Sequence, residues 1–588
     1  MPGSIDLLPD TGSARIAGTD RPDHCAGKLR VGLFADSPLQ PRWVVEALAK
    51  VAALDFVEVV VIAEGDADGR KSPWLWRAYG RIDNRLFGLR PDPSERIDLK
   101  TRVSHARLLA LPAGGSGQAA EAAWRRELAR LRLDVAFALG AVDDNALEGV
   151  AQYGVWRYCF GEERGWLETL AGFREVCEGI PVTGSGLRVR RGPRDDRIAY
   201  QSWSRTFPFS VARSRGRFLR KTGEFAGRAL RELHRSGAAW LDGCPPAARM
   251  RPAGEQRLPG NVELVRNLSR LGRRIARRGL QKLLYVEQWF IAYRFGGGDR
   301  WWGDGRDFHR LVPPRDRYWA DPFPLQRGGR HFIFFEEFVF AAGKAHIAMV
   351  EVGRNGRRSA PLRVLEREFH LSYPFLLEHD GELFMIPETG ASRTVELYRC
   401  TDFPDRWELE KVLLRDAWFV DATLHRAGDR WWLFANVGAE ADMADDELHL
   451  YYADHLLGEW TPHRANPVKS DARCSRPAGR LFERDGVLYR PAQVCVPLYG
   501  SGISINRVGH LSPQAYVEQE EERILPAASD GLLGIHTLNG SGELGVVDCF
   551  VRSRRAGMRA ARAPGSSHAL ALPVATARHP DTSLHRNA

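Results

Sequence analysis

WADPFPLQRGGRHFIFFEEF (Trp319–Phe338) decides the fold, because the same plan returns four more times downstream. The later copies are SYPFLLEHDGELFMIPETG (Ser372–Gly390), FVDATLHRAGDRWWLFANVG (Phe419–Gly438), SRPAGRLFERDGVLYRPAQVC (Ser475–Cys495) and GIHTLNGSGELGVVDCF (Gly534–Phe550). Each is an apolar strand, a two-residue turn containing Gly, and a second strand rich in aromatic and branched residues, the pattern of a β-hairpin. The turns are placed at Gly328-Gly329, Asp380-Gly381, Gly428-Asp429, Asp485-Gly486 and Ser541-Gly542. Repeats made of strands alone, with corresponding positions 52, 48, 55 and 60 residues apart, match four-stranded blades set radially around a channel. They exclude helical solenoids. The predicted architecture is a five-bladed β-propeller over residues 301–555.

The innermost strand of a blade lines the channel, and its first residues face one mouth. Those positions hold Asp321, Tyr373, Asp421, Arg476 and His536. A purely architectural repeat would repeat these residues as it repeats its core; here charge and hydrogen-bonding capacity change from copy to copy. The mouth is therefore the candidate site. Asp321, Glu388 and Asp421 are the candidate catalytic carboxylates, since chemistry at a sugar anomeric carbon uses a pair of carboxylates, one moving a proton and one meeting oxocarbenium charge. Trp319, Glu337, Tyr373, Arg476, Gln493, His536 and Asn539 are the candidate substrate-binding residues, with aromatic rings as stacking platforms and Arg476 as a bidentate partner for phosphate or carboxylate. The competing use is structural, with the Asp residues capping turns and Glu388 paired to an Arg.

The 588 residues suffice for two or three domains, and 44% hydrophobic with 27% charged residues is an ordinary globular composition. A net charge of +10, carried mainly by arginine, suits anionic substrates, an acidic membrane surface or nucleic acid and selects none of them. The eight cysteines are scattered, without CxxC or a His/Cys cluster at ligand spacing, so no metal site and no cofactor are expected. Neither a basic start followed by an apolar run nor a stretch long enough to span a bilayer is present in the sequence, and a cytoplasmic location is expected, extending to the inner membrane face.

Residues 1–27 and 556–588 read as disordered from their composition. Within 28–235, apolar strands at Lys28–Ala35, Val57–Ala63 and Leu133–Leu139 alternate with helices at Arg42–Val51 and Ala119–Leu131, which predicts an α/β domain with a parallel sheet. No GxGxxG follows the first strand. Residues 236–300 are expected to be a linker: CPPAARMRPAGEQRLPGN (Cys244–Asn261), then a basic amphipathic helix with Val262, Val265, Leu268, Leu271 and Ile275 at helical spacing among arginines. That helix either packs on a domain or rests on an anionic membrane.

The N-terminal half resembles the formyltransferase family in KLRVGLFADS (Lys28–Ser37), in LDVAFALG and QYGVWRYCFGEERG (within 133–165), and in TGSGLRVRRGPRDDRIAYQSWSRT (Thr183–Thr206). The resemblance implies a Rossmann-type fold. It also implies an Asn, a His and an Asp-x-Gly for catalysis; here Cys159-Phe160 stands where the His is expected and Arg194-Asp195-Asp196-Arg197 breaks the Asp motif, so formyl transfer is not expected. WADPFP with the second Asp resembles the five-bladed furanoside- and arabinan-cleaving glycoside hydrolases. Across Gln288–Asp548, EQWFIAYR, YWADPFP, FFEEF, SYPFL, IPET, FVDATL, SRPAG, YRPAQ and GIHTLN resemble the N-terminal domain of glucosamine inositolphosphorylceramide transferase and its bacterial relatives. What this implies is a transferase, a glycosyltransferase of cell-surface polysaccharide or glycolipid synthesis. It would take a nucleotide sugar or other activated sugar and a glycan or lipid-linked acceptor, with no nucleic-acid partner. A non-catalytic carbohydrate-binding scaffold and a glycoside hydrolase are the alternatives.

Overall fold

The computed structural model describes residues 27–65, 73–103, 106–112, 118–161, 170–247, 258–296, 308–526, 531–554 and 574–576. Two compact units emerge, one within residues 15–276 and one over 277–588.

In the first unit the apolar runs become a seven-stranded mixed sheet. Leu29–Ala35 lies inside it, paired in parallel with Val57–Glu64 on one side and with the central strand Val135–Leu139 on the other. Arg107–Ala110 and Val155–Phe160 extend the parallel part, and the long hairpin Val182–Gly192 and Asp195–Arg205 continues it antiparallel. Helices Arg42–Ala52 and Phe225–Gly243 bury Val45, Leu48, Leu230 and Leu233 in one apolar core with Leu33, Val135 and Phe137. Cys159 is buried in this sheet, which pushes its thiol up to about 12. A mixed sheet of this kind is an architecture and does not assign a family.

The second unit consists of five sheets in the order of the repeats. The first blade is Arg317–Arg327, Arg330–Val339, Lys344–Val352 and Leu362–Leu365. The second runs from Ser372–His379 to Arg406–Arg415, the third from Trp418–Ala427 to Thr461–Pro462, and the fourth from Phe482–Arg484 to Tyr516–Ile524. The fifth is closed by both ends of the repeat region: Tyr285–Phe295 pairs antiparallel with Leu544–Arg554, register Tyr285 to Arg554 through Phe295 to Leu544. An open ring would leave an edge strand's N–H and C=O groups unpaired; this pairing removes it.

Three sequence expectations are corrected. Residues 236–300 are not wholly a linker, since the Phe225–Gly243 helix crosses their start and Tyr285–Phe295 is a blade strand, so the propeller begins before 301. Residues 248–257 of that segment lie outside the described residues, as do 1–26 and most of 556–588. Within the tail, Val574–Thr576 forms a strand against Glu522–Ile524. The fifth hairpin turns one residue later than expected, at Gly542-Glu543, because Ser541 pairs with Leu544. Among the turns, Gly328-Gly329, Asp380-Gly381 and Asp485-Gly486 have positive φ at both positions, the twist-matched form for a tight hairpin.

The inner strands of the first three blades share one irregularity. Their ladders slip between Ala320 and Phe323, Ser372 and Phe375, and Val420 and Thr423. Inside each slip Asp321, Tyr373 and Asp421 adopt φ of +50°, +44° and +53°. Such bulges re-aim a side chain at a cost of roughly 1 kcal/mol or more per residue, and they concentrate at functional sites.

Candidate functional site

The bulges turn side chains of different blades toward one another. Asp421 Oδ2 accepts from Arg476 Nε at 2.5 Å and from Gln493 Nε2 at 2.7 Å. The same guanidinium reaches Asp445 Oδ1 at 3.2 Å and Glu388 Oε2 at 3.6 Å. Asp321 Oδ1 accepts from the Thr537 hydroxyl at 2.6 Å and lies 3.2 Å from His536 Nε2, and Asp321 Oδ2 accepts from the Tyr373 N–H at 3.3 Å. His536 Nδ1 lies 2.7 Å from Asp548 Oδ2. Asp321, Glu388, Asp421, Arg476 and His536 are thus linked through shared contacts and through the mutual fields of Asp321, Asp421 and Glu388.

These groups are buried, and burial dominates their protonation. Desolvation, with Asp421 beside it, pushes the Glu388 carboxyl well above the usual range; Arg476 opposes this only in part. Glu388 Oε2 is buried without a hydrogen-bond partner. Desolvation and the Asp421 and Asp548 carboxylates likewise raise Asp321, to about 6, against the pull of His536. Burial disfavours charge on His536, yet Asp548 and Asp321 hold its pKa above the ordinary value. A carboxyl raised by burial beside a second carboxylate held by an arginine is the arrangement of an acid and a base.

The partly exposed residues show which side meets solvent. Glu388, Arg476, Tyr318, Tyr499 and Trp289 are intermediate in exposure, while Asp321, Asp421, His536 and Asp548 are buried behind them. Tyr499 packs on Arg476, with the guanidinium carbon 4.9 Å from its ring centroid, and on His536 at 5.2 Å between centroids.

Several residues expected to bind substrate hold the propeller together instead. Trp319 is in the apolar core and donates its Nε1–H to Glu337 Oε1 at 2.8 Å. Glu337 also meets His346 at 3.0 Å and Arg317 at 3.3 Å; despite burial, those partners bring its carboxyl down to about 2. Tyr373 is fully buried, its hydroxyl accepting from the Gly479 N–H at 2.7 Å and sharing a hydrogen bond with Thr423. Asn539 bridges blades by donating to the Pro322 carbonyl and accepting from the Arg480 N–H. Gln493 positions Asp421 and also donates to the Pro477 carbonyl.

Sequence reading missed Asp548, Glu336, Tyr318 and Tyr499, along with Asp445 and Thr537. Asp548 accepts backbone N–H groups from Asp321, His536 and Thr537; its signal was a carboxylate inside the apolar run VVDCFV. Glu336, and not the expected Glu337, faces the site. Adjacent strand residues point to opposite faces, and burial together with Asp321 raises Glu336 well above the carboxylate range. Tyr318 donates to Glu336 at 2.9 Å. Tyr499 lies in a loop outside the repeated motif and carried no signal. Asp321, His536 and Asp548 also place three ligand atoms within 4.8 Å of one another, so they could hold a cation. Spacing could not reveal this set, since its members lie on two blades.

Residues 313–539 match the family described as glucosamine inositolphosphorylceramide transferase 1, N-terminal. Among curated proteins, glucosamine inositolphosphorylceramide transferase 1 of Oryza sativa subsp. japonica is 35% identical over 34% of this chain and 27% of its own length. That of Arabidopsis thaliana is 33% identical over 36% of this chain and 28% of its own length. The chain therefore spans little more than a quarter of the relatives it matches. Among solved structures, an α-L-arabinanase of Cellvibrio cellulosa overlaps 40% of this chain and 94% of its own, with 14% identity and a TM-score of 0.29. A β-xylosidase/α-arabinofuranosidase from a compost metagenome overlaps 42% and 94%, with 12% identity and a TM-score of 0.30.

Proposed function

We propose that the propeller mouth is the active site of a sugar transferase, acting on an activated sugar donor and a glycan or lipid-linked acceptor. The observation that carries this is Glu388: its side chain is 14% exposed, burial raises its carboxyl well above the usual range, its Oε2 makes no hydrogen bond, and it is adjacent to an Asp421 carboxylate fixed by Arg476 and Gln493. In this reading Glu388 is the acid that serves the leaving or entering oxygen, and Asp421 is the charge that answers the oxocarbenium-like centre. Asp321, with His536 behind it, is the second carboxylate, poised to change protonation near pH 6. The match over 313–539 to proteins named as glycolipid transferases supports the class.

A carbohydrate-binding role without catalysis is the second reading. It is favoured by how completely Asp321 and Asp421 are occupied by internal partners. Incubation of the purified chain with a panel of nucleotide sugars and lipid-linked acceptors, read by mass spectrometry, separates the two. Transfer that disappears in Glu388→Gln supports catalysis, and sugar binding that survives that change without any transfer supports the second reading. Transfer unaffected by Glu388→Gln removes the mouth as the site.

The N-terminal unit is proposed to be a formyltransferase-like α/β fold that has lost the reaction. Its support is the buried, strongly protonated Cys159 and an ion cluster in which Asp144 binds both Arg157 and Arg188.

A further inference from the structure

The Trp74–Phe87 helix has an inward face and an outward face of different chemistry. Inward, Trp76 packs edge-on against Phe173 at 4.8 Å, and Asp83 accepts from the Ala212 N–H at 2.7 Å. Outward, Trp74, Ile82 and Leu86 are 62%, 60% and 66% exposed, and Arg77, Arg81 and Arg85 are exposed beside them. At about 100° per residue, Ile82 and Leu86 share one arc and the three arginines an adjoining one, with Trp74 set among the arginines between Arg81 and Arg85. The helix's one acid, Asp83, is on the buried side, so the outward face has a single sign of charge.

The start of the Asn261–Leu284 helix belongs to the same apolar cluster, through Leu264 and Leu271. Its periodic residues do not share a face: Leu264 and Leu271 go inward, whereas Val262 and Val265 are 86% and 53% exposed, alongside Arg266, Arg270 and Arg273. Two neighbouring helices therefore present aliphatic and indole side chains among six arginines. Large apolar side chains left in water mark an interaction surface. Phosphate recognition by nucleic-acid binders rests on the cations alone and leaves Trp74, Ile82 and Leu86 unexplained. Rings and aliphatic groups entering an acyl boundary, with arginines at the headgroups, explain both.

We propose that the outward faces of the Trp74–Phe87 helix and the start of the Asn261–Leu284 helix dock on an anionic lipid bilayer. The surface is independent of the chemistry at the propeller mouth.

The full-length protein is sedimented with vesicles of phosphatidylcholine, alone or mixed with phosphatidylglycerol. Binding to the mixed vesicles only, weakened by salt, is expected. Arg77→Gln/Arg81→Gln/Arg85→Gln is expected to weaken it about 100-fold, at roughly 1 kcal/mol per arginine at a charged surface. Trp74→Ser/Leu86→Ser is expected to weaken it at least about 10-fold through lost apolar burial. Since these side chains are exposed, both variants should melt like the parent. Equal binding to neutral vesicles, or no loss in either variant, overturns the proposal. So does loss with the arginine variant alone, which marks a general polyanion surface, or a change from dimer to monomer in the apolar variant with vesicle binding intact, which marks a second copy as the occupant.

Discussion

Arg476 lies under the ring of Tyr499, 4.9 Å from its centroid, while its Nε binds Asp421 Oδ2 at 2.5 Å. One guanidinium therefore joins a loop outside the repeats to the third blade's carboxylate. Removing a partner from a buried pair leaves an uncompensated charge. Arg476→Ala is expected to destabilise the propeller by about 3–5 kcal/mol, read from denaturant midpoints. Arg476→Lys should recover part of that stability without restoring transfer, since an ammonium cannot span Asp421, Asp445 and Glu388. A melting profile unchanged by Arg476→Ala would contradict the pairing.

Glu388→Gln should fold as well as the parent, because burial already favours the uncharged form of the carboxyl it replaces. Turnover should fall by about 10²–10⁴-fold, the usual contribution of general acid catalysis. In the parent, activity that requires protonated Glu388 should persist above the usual carboxylate range and fall as pH rises past its elevated pKa. A rate that climbs across that interval would exclude Glu388 as the acid.

Asp321 and His536 make folding stability pH-dependent in the same direction. Both bind protons more tightly folded than unfolded, so each contributes stability present at low pH and lost as pH rises through its folded pKa. For Asp321 the loss spans about pH 4 to about 6; for His536 it begins above 6.5, its ordinary value. Asp321→Asn should flatten the decline in melting temperature across the lower interval, a difference calorimetry resolves. An unchanged slope would show that Asp321 does not carry this proton.

A chain fragment beginning at Leu283 and ending at Arg554 should melt cooperatively, whereas one beginning at 301 should aggregate, because it lacks the strand that covers Leu544–Arg554. Cooperative melting of the shorter fragment would show that closure is dispensable.

Formyl-tetrahydrofolate and an amino sugar should give no product with the full chain, since no histidine stands at Cys159-Phe160. Product formation abolished by deleting residues 1–235 would contradict this.

The repeated hairpins were legible because each copy restates apolar alternation and a glycine turn; the closing strand was not, because Tyr285–Phe295 lies outside the repeated motif and its long partner, Leu544–Arg554, is far downstream. The residues that meet at the mouth were visible as departures from an otherwise repeated pattern. What each does was less visible. Trp319 and Tyr373 look like sugar platforms in a sequence, yet their polar atoms are spent on Glu337, Thr423 and Gly479. Glu336 and Glu337 are neighbours whose fates diverge by one step of the pleat.

Closing the ring with Tyr285–Phe295 against Leu544–Arg554 also sets an order of events in time. On a ribosome the N-terminal strand emerges early and must wait for its partner until almost the whole repeat region has been made. Such contacts between distant residues form late and slowly. Asp548 lies on that late partner strand and anchors both His536 and the Asp321 backbone. The first-blade half of the cluster is therefore assembled only when the last blade is complete, and an incomplete nascent chain carries the parts of the site without the site.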